Sequence, residues 1–107
     1  MQETEDSGVD VSFNEPARRF EAHVAGSPDV AYIDVVPGTN IWSLVHTEVP
    51  ASFRGQGIGS ALVRGALKHV RDLGANVKPV CPFVVTYLRE HPAEADVVLP
   101  RHRHLIE

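Results

Sequence analysis

The chain has 107 residues, of which 43% are hydrophobic and 22% charged, with a formal net charge of −4 and an isoelectric point near 5.8. This length fits one small domain, and the composition is that of a folded protein and not of a disordered one. The negative charge argues against a general nucleic-acid-binding protein, which needs clustered Lys and Arg to neutralise phosphates.

Four β-strands are predicted in the first half of the chain. Residues 1–8 are acidic and polar, so we expect a disordered tail followed by a single domain over residues 9–99. Alternating apolar and polar residues, interrupted by turn residues such as Pro37-Gly38, indicate half-buried strands joined by short connections. The predicted strands are 9–13, 19–24, 30–36 and 41–49. This order predicts an antiparallel meander.

The fourth predicted strand carries polar groups near its end. Strict alternation groups Trp42 and Leu44 with His46 and Glu48 on one face, opposite a face made of Ser43, Val45, Thr47 and Val49. Trp42 is therefore expected in the core. His46 and Glu48 lie near the carboxyl end of the strand, where open α/β sheets place their ligands.

The second half of the chain begins with an amphipathic helix. Its apolar residues recur every three or four positions and are Ile58, Leu62, Ala66, Val70 and Leu73. Gly74 is a suitable C-terminal cap, and His69 lies among polar positions that we expect to be exposed.

A short strand over 77–81 and a helix from Pro82 to about His91 follow. The order strand, helix, strand favours a right-handed crossover, which makes the strands 41–49 and 77–81 parallel. Val97-Val98-Leu99 is a candidate edge strand, and residues 100–107 are expected to form a charged C-terminal tail.

The cysteine content and the hydropathy indicate the cellular compartment of the protein. Cys81 is the only cysteine, so no internal disulfide is possible and an oxidising compartment is not required. No apolar run approaches the ~20 residues that span a bilayer, and the first ten residues lack the basic and apolar regions of a signal peptide. We expect a cytoplasmic protein that does not contact membranes.

The loop before the long helix contains three glycines in five residues, within Arg54-Gly55-Gln56-Gly57-Ile58-Gly59. Glycines let the backbone approach a ligand closely, and the helix that follows offers unpaired N–H groups at the same place. An acidic protein can hold a pyrophosphate in this way, because the donors belong to the main chain.

Two familiar nucleotide motifs do not fit this loop. The dinucleotide fingerprint needs Gly or Ala where Ser60 stands, and a Walker A loop needs a Lys that is absent. The pattern that remains is Arg/Gln-x-x-Gly-x-Gly/Ala, which Arg54, Gly57 and Gly59 match.

With this motif, the sequence resembles the GCN5-related N-acetyltransferase superfamily, in particular its short, single-domain branch, from about Phe20 to about Val98. The resemblance is strongest over the following stretches: His46-Thr47-Glu48-Val49, Arg54 to Leu62, Cys81-Pro82-Phe83-Val84 with Tyr87, and His91-Pro92. It implies a reduced α/β (α+β) version of that fold, with acetyl-coenzyme A as co-substrate.

The resemblance also implies where acetyl-coenzyme A lies. Two parallel strands, ending at Val49 and Cys81, would splay apart, and main-chain groups near Thr47 and Val49 would bind the pantetheine arm. The complete set of expected contacts is Thr47, Val49, Arg54, Gly55, Gln56, Gly57, Ile58, Gly59, Ser60, Pro82 and Phe83.

Larger members of the superfamily place helices between the first two strands to bind the acceptor, whereas only residues 14–17 separate those strands here. Three interpretations follow from this difference. The chain is an N-acetyltransferase acting on a small or peptide amine, a non-catalytic acyl-coenzyme A-binding module, or a donor-binding domain whose acceptor surface comes from a partner protein.

Four side chains are candidates for catalysis. Cys81 precedes a helix whose dipole favours a thiolate, so it is a candidate acyl acceptor or proton donor, against the alternative of an inert buried thiol. His46 and Glu48 are candidate bases for the amine, against a solvated polar strand end. Tyr87 is a candidate general acid, against a core aromatic residue.

The remaining histidines, including His91, His102 and His104, lack the cysteine partners typical of a zinc site, and no metal is expected.

Overall fold

The computed structural model describes residues 8–107; the tail predicted for residues 1–8 lies, apart from Gly8, outside the described residues. The described elements are β1 (Val9–Asn14), β2 (Arg19–Val24), β3 (Val30–Val36), β4 (Ile41–Glu48), α1 (Ile58–Asp72), β5 (Asn76–Pro79) and α2 (Pro82–Glu90), with short 3-10 helices over Ala51–Phe53, Pro92–Val97 and Pro100–Ile106. None of the helices in this part of the chain is both long enough and apolar enough to cross a bilayer.

The five strands form one sheet in the order β1-β2-β3-β4-β5. The first four are antiparallel neighbours, and β5 is parallel to β4. The predicted meander, crossover helix and parallel strand are therefore confirmed.

The core lies between the sheet and α1. Phe20, Ile33 and Leu44 from the sheet and Leu62 and Val70 from α1 are all fully buried. Burial of this kind contributes roughly 1.5–3 kcal/mol for each large apolar side chain, so the sheet and α1 stabilise each other.

An aromatic cluster extends this core toward β1. The Trp42 ring lies 5.0 Å from that of Phe13 and 5.8 Å from the imidazole of His69, and its side chain is largely buried. The predicted core position of Trp42 is confirmed. His69, predicted to be exposed, is instead half-buried, because α1 turns that imidazole onto the rings of Phe13, Phe20 and Trp42.

An irregularity in the β3–β4 ladder changes which face the end of β4 presents. Val35 pairs with Leu44, but the preceding Asp34 pairs with His46, so Val45 is an extra residue in β4. After this bulge Thr47 shares the α1 face with the buried Ile33. The predicted grouping of His46 and Glu48 with Trp42 and Leu44 is wrong, because strict alternation does not allow for the bulge.

The face of the sheet opposite α1 is polar, and Glu21 is its most buried carboxylate, with 8% of the residue exposed. Glu21 accepts hydrogen bonds from Arg19 Nε at 2.8 Å and Asn14 Nδ2 at 2.9 Å, and it lies 3.0 Å from His23 Nε2. The Arg19 guanidinium also stacks 4.3 Å from the centre of the Tyr32 ring. Hydrogen bonding from Arg19 is the main reason why the pKa of Glu21 falls to about 2.

The C-terminal part of the chain differs from the prediction. Val97 and Val98 form no strand; Val97 ends a 3-10 helix, Val98 caps it, and both side chains are buried. Residues 100–106, predicted as a charged tail, form another 3-10 helix, and Arg89 of α2 donates to the carbonyl of Ile106 at 3.1 Å. The reason lies in two prolines, Pro92 and Pro100, which each favour the first turn of a helix.

Substitution of Gly65 tests how closely α1 packs on β1. A Cβ atom at this position would lie 2.7 Å from Cβ and Cγ1 of Val11, which cannot rotate away. Gly65→Ala should therefore lower the free energy of unfolding by about 1 kcal/mol, although alanine is the better helix former by about that amount. Denaturant unfolding measures this change, and Lys68→Ala on the exposed side of α1 is the control. If Val11→Gly, which removes both contacting atoms, does not reduce the cost of Gly65→Ala in the double variant, the packing explanation is wrong.

Glu21 makes the stability of the fold depend on pH. Because its pKa is near 2 in the folded protein and near 4.5 otherwise, its contribution is complete above about pH 4.5 and is lost as the pH falls toward 2. Glu21→Gln should lower the free energy of unfolding by about 1–3 kcal/mol at pH 7, and the difference from the wild type should shrink across that acidic range. Unfolding curves at a series of pH values measure this, with Glu90→Gln as the control. If the difference in unfolding free energy between the two proteins stays constant down to pH 2, the pKa of Glu21 is not lowered in the folded protein.

Candidate functional site

The parallel ladder between β4 and β5 ends well before β4 does. Its last pair is Leu44 and Pro79, and both Val80 N–H, at 3.1 Å, and Cys81 N–H, at 2.9 Å, donate to the single carbonyl of Leu44. Proline has no N–H to extend such a ladder. The last part of β4, Val45–Glu48, therefore has no strand beside it on the β5 side. We call the space along this free edge of β4 the gap.

Cys81 lies at the closed end of this gap. It is the N-cap residue of α2 and is only 3% exposed, and its Sγ atom is 3.1 Å from Oγ1 of Thr47. Cys81 thus lies between the N-terminus of a helix and the hydroxyl group of Thr47, and either the thiol or the hydroxyl can donate in the contact between them. Sequence analysis singled out both residues but assigned Thr47 only a main-chain role.

His46 and Glu48 come together on the other side of β4. His46 Nε2 lies 2.9 Å from Glu48 Oε1, and both side chains are more than half exposed. Their cross-strand partners are Asp34 and Tyr32, so these four side chains share the polar face of the sheet. A carboxylate bonded to an imidazole orients the ring and provides a path for a proton.

The glycine loop presents free main-chain donors. Gly55 and Gly57 both have φ 74°, and a Cβ at either position would meet nothing within 4 Å, so the space beside the loop is open. Among the described residues, the N–H groups of Gly55 and Gly57 have no hydrogen-bond partner. Those of Ile58 and Gly59 belong to the first turn of α1, which has no partners within the helix. The loop can therefore hold an anion without help from the net charge.

Two loop residues have structural roles that the sequence did not reveal. The Gln56 side chain donates to the carbonyl of Ser52 at 2.8 Å, and the Ser52 hydroxyl donates to Asp29 Oδ2 at 2.5 Å, so the loop is attached to the turn between β2 and β3. Gly59 permits contact between the helices, because a Cβ there would lie 2.6 Å from the ring of Phe83 on α2.

Exposed apolar side chains surround the gap. Val45 is 37% exposed, Val80 48% and Phe83 41%. They lie at the bulge of β4, directly after β5 and in the first turn of α2, respectively. Sequence analysis placed both valines within predicted strands and gave neither a functional role. Such a group of exposed apolar residues is typical of a ligand-binding surface.

A groove of about 160 Å³ lies between α1 and α2. It is lined by Ser60, Phe83, Thr86, Tyr87 and Glu90. Two residues expected to contact acetyl-coenzyme A, Ser60 and Phe83, therefore lie in one concave surface.

Tyr87 is buried and bonded within its own end of the fold. Its hydroxyl donates to Glu94 at 2.7 Å, and its ring stacks on His91 with 4.0 Å between centroids. Burial, and then the hydrogen bond to Glu94, raise the pKa of Tyr87 to about 12. These contacts fit the alternative of a core aromatic residue, while the role as general acid stays a prediction.

Within residues 8–107 the structure contains no group of three or more His, Cys, Asp or Glu side chains arranged to bind a metal.

Known proteins resemble this chain in sequence and in fold. Protein NATD1 of Gallus gallus is 31% identical over 86 residues, which cover 78% of this chain and 77% of that protein, and Protein NATD1 of Bos taurus is 34% identical over 88 residues, which cover 78% and 75%. A GCN5-like protein from Staphylococcus aureus, determined by NMR in solution, superposes with a TM-score of 0.64 over 92% of this chain and 97% of that one. Its sequence identity is 24%, so it shows a common fold alone.

A sequence model of a protein family also matches this chain. The model of the GCN5-related N-acetyltransferase domain matches residues 19–97, which include four of the five strands, the glycine loop, both helices and Cys81. The chain therefore belongs to the GCN5-related N-acetyltransferase family.

Proposed function

We propose that this protein binds acetyl-coenzyme A and transfers the acetyl group to a small or peptide amine. The observation that carries the proposal is the position of unpaired loop donors beside a gap in the sheet that ends at Cys81 and Thr47. The family supplies the reaction class, and the amine and the residues are our inference.

The glycine loop would bind the pyrophosphate of the donor. The N–H groups of Gly55, Gly57 and Ile58 can donate to phosphate oxygens, and the N-terminus of α1 favours a negative charge. Arg54 is exposed and adds one positive charge at this point.

The gap between β4 and α2 would hold the pantetheine arm and the thioester. Main-chain groups of Thr47 and Val49 face a region with no β5 partner, so they are available to a ligand. The exposed side chains of Val45, Val80 and Phe83 offer apolar contacts to the methylene groups of the arm.

The acceptor amine would approach over the polar face of the sheet. It must be neutral to attack the thioester carbonyl, and Glu48, directly or through His46, can accept the proton that its ammonium form loses. The carboxylates of Asp34 and Glu48 favour a cationic substrate on this face. As the nitrogen–carbon bond forms and the carbon–sulfur bond breaks, the coenzyme thiolate leaves and takes up a proton.

Cys81 supports two versions of this reaction. In the direct version its thiol gives a proton to the departing thiolate, and the amine attacks the thioester itself. In the covalent version the Cys81 thiolate first displaces coenzyme A, and the amine then attacks the Cys81 thioester. The contact with Thr47 is compatible with both, since the hydroxyl can donate to the sulfur or accept from it.

Donor binding is tested by a matched pair of variants at Gly57. Asn and Asp both tolerate the positive φ of this position and have nearly the same shape, but only Asp adds a negative charge. In calorimetric titrations with acetyl-coenzyme A, Gly57→Asp should bind at least about tenfold more weakly than Gly57→Asn. Equal affinities of the two variants would show that the anion does not lie on the loop, and a wild type without saturable binding would remove the proposal.

Turnover is tested by following coenzyme A release with and without a panel of amines. Glu48→Gln should lower kcat/KM by about 100-fold while leaving the dissociation constant of acetyl-coenzyme A unchanged, because a general base acts on the acceptor. Asp10→Asn makes the same chemical change on the same face of the sheet and should have no effect. Donor binding with no amine-dependent release would favour the non-catalytic acyl-coenzyme A-binding module, or a partner protein that supplies the acceptor surface.

The route through Cys81 is tested by intact-mass measurement after rapid quenching. With acetyl-coenzyme A and no amine, the covalent version predicts an acetyl adduct on the wild type that is absent from Cys81→Ala. If both proteins stay unmodified while the wild type turns over, transfer is direct.

A further inference from the structure

A second concave surface lies at the end of the sheet away from the acetyl-coenzyme A gap. It is a cavity of about 490 Å³ lined by Phe13, Glu15, Pro16, Arg18, Pro37 and Trp42. Trp42 is near the start of β4 and Thr47 near its end, so about 15 Å of strand separates this cavity from the gap. One small ligand cannot occupy both sites.

The floor of the cavity is aromatic. The rings of Phe13 and Trp42 lie 5.0 Å apart with a tilt of 58°, and they are backed by Phe20 and His69. Rings packed in this way keep their positions. Phe13 is half-buried and Trp42 largely buried, so Phe13 offers most of the exposed ring surface for stacking with another ring.

The sides of the cavity are formed by two fixed turns. Pro16 lies in the β1–β2 turn, and Pro37 follows β3. Arg18 has φ 54°, which is unusual for a residue with a side chain and is held by two main-chain bonds: its N–H donates to Glu15 at 3.1 Å, and its carbonyl accepts from Val35 at 3.0 Å. Such a conformation costs about 1–3 kcal/mol, so these two bonds hold the turn, and with it this side of the cavity, in one shape.

The rim carries one charge of each sign. Glu15 and Arg18 are exposed, and within the described residues neither side chain forms an ion pair or a hydrogen bond. A guanidinium is well suited to a carboxylate, and a carboxylate to an ammonium group. An aromatic floor under two opposite charges is complementary to a flat apolar group attached to a zwitterion.

We propose that this cavity is a binding site for a free aromatic amino acid or a compound of the same chemistry. Its ring stacks on Phe13 and Trp42, its carboxylate bonds to Arg18, and its ammonium group bonds to Glu15. The proposal is independent of acetyl transfer, because the two sites lie at opposite ends of β4.

The test uses the intrinsic fluorescence of Trp42, which is the only tryptophan in the chain. L-phenylalanine is the probe, since it does not absorb where tryptophan is excited selectively. A saturable change is expected below about 10 mM, a concentration that nearly fills a site of about 1 mM affinity. Phenylpropionate, which lacks the amine, and phenethylamine, which lacks the carboxylate, should each bind more weakly than phenylalanine.

Variants at the rim assign the two charges. Arg18→Gln should weaken the binding of phenylalanine and phenylpropionate by about tenfold and leave that of phenethylamine unchanged. Glu15→Gln should weaken the binding of phenylalanine and phenethylamine and leave that of phenylpropionate unchanged. Arg101→Gln, an exposed arginine outside the cavity, is the matched control. No saturable change with phenylalanine, or binding that both rim variants leave intact, overturns the proposal. Far-ultraviolet circular dichroism and denaturant unfolding of the same variants show that each is folded.

Discussion

The end of the β4–β5 ladder at Leu44 and Pro79 is the constraint on which the rest of the site depends. One carbonyl, that of Leu44, accepts both of the last N–H groups from the β5 side, and beyond it the two segments are no longer paired. The last part of β4 therefore has an unpaired edge, and the chain enters α2 directly after Cys81. If the pairing continued, a continuous sheet would fill the space proposed for the thioester.

The bulge at Val45 determines what each side of that edge can do. It keeps Thr47 on the covered face, where its hydroxyl reaches Cys81, and places His46 and Glu48 on the polar face. The cysteine and the His46–Glu48 pair, to which we assign sulfur and proton chemistry in the proposed reaction, thereby lie on opposite faces of one strand. An amine can approach from the polar side while the coenzyme lies along the gap, so the arrangement suits a reaction between two substrates.

Anion binding in an acidic protein requires donors that do not depend on the net charge, and the glycine loop provides them. Its shape is maintained by the buried Phe53 and by the connection from Gln56 through Ser52 to Asp29. The loop is therefore held in place before any ligand arrives, which reduces the entropy cost of binding. The expected ligand contacts thus include Gln56, whose side chain stabilises the loop, as well as residues whose N–H groups can donate to a ligand.

Much of the fold could be predicted because its signals are local. The spacing from Ile58 to Val70 gives α1, the alternation in the first half gives the meander, and the glycines identify the loop. The bulge at Val45 could not be predicted, since it depends on how β3 pairs with β4 and leaves no mark in the sequence of β4 alone. The half-buried His69 and the C-terminal 3-10 helices also result from tertiary packing, which a short window of sequence does not contain.

The account rests on one claim, that the donor lies along the glycine loop and the open edge of β4. Amide chemical shifts of the isotope-labelled protein, followed during titration with acetyl-coenzyme A, test it residue by residue. The account predicts that the largest changes fall on Gly55, Gly57, Ile58, the segment Val45–Glu48 and Cys81, with little change in β1. Saturable changes confined to other parts of the sheet, or none at all, would contradict it.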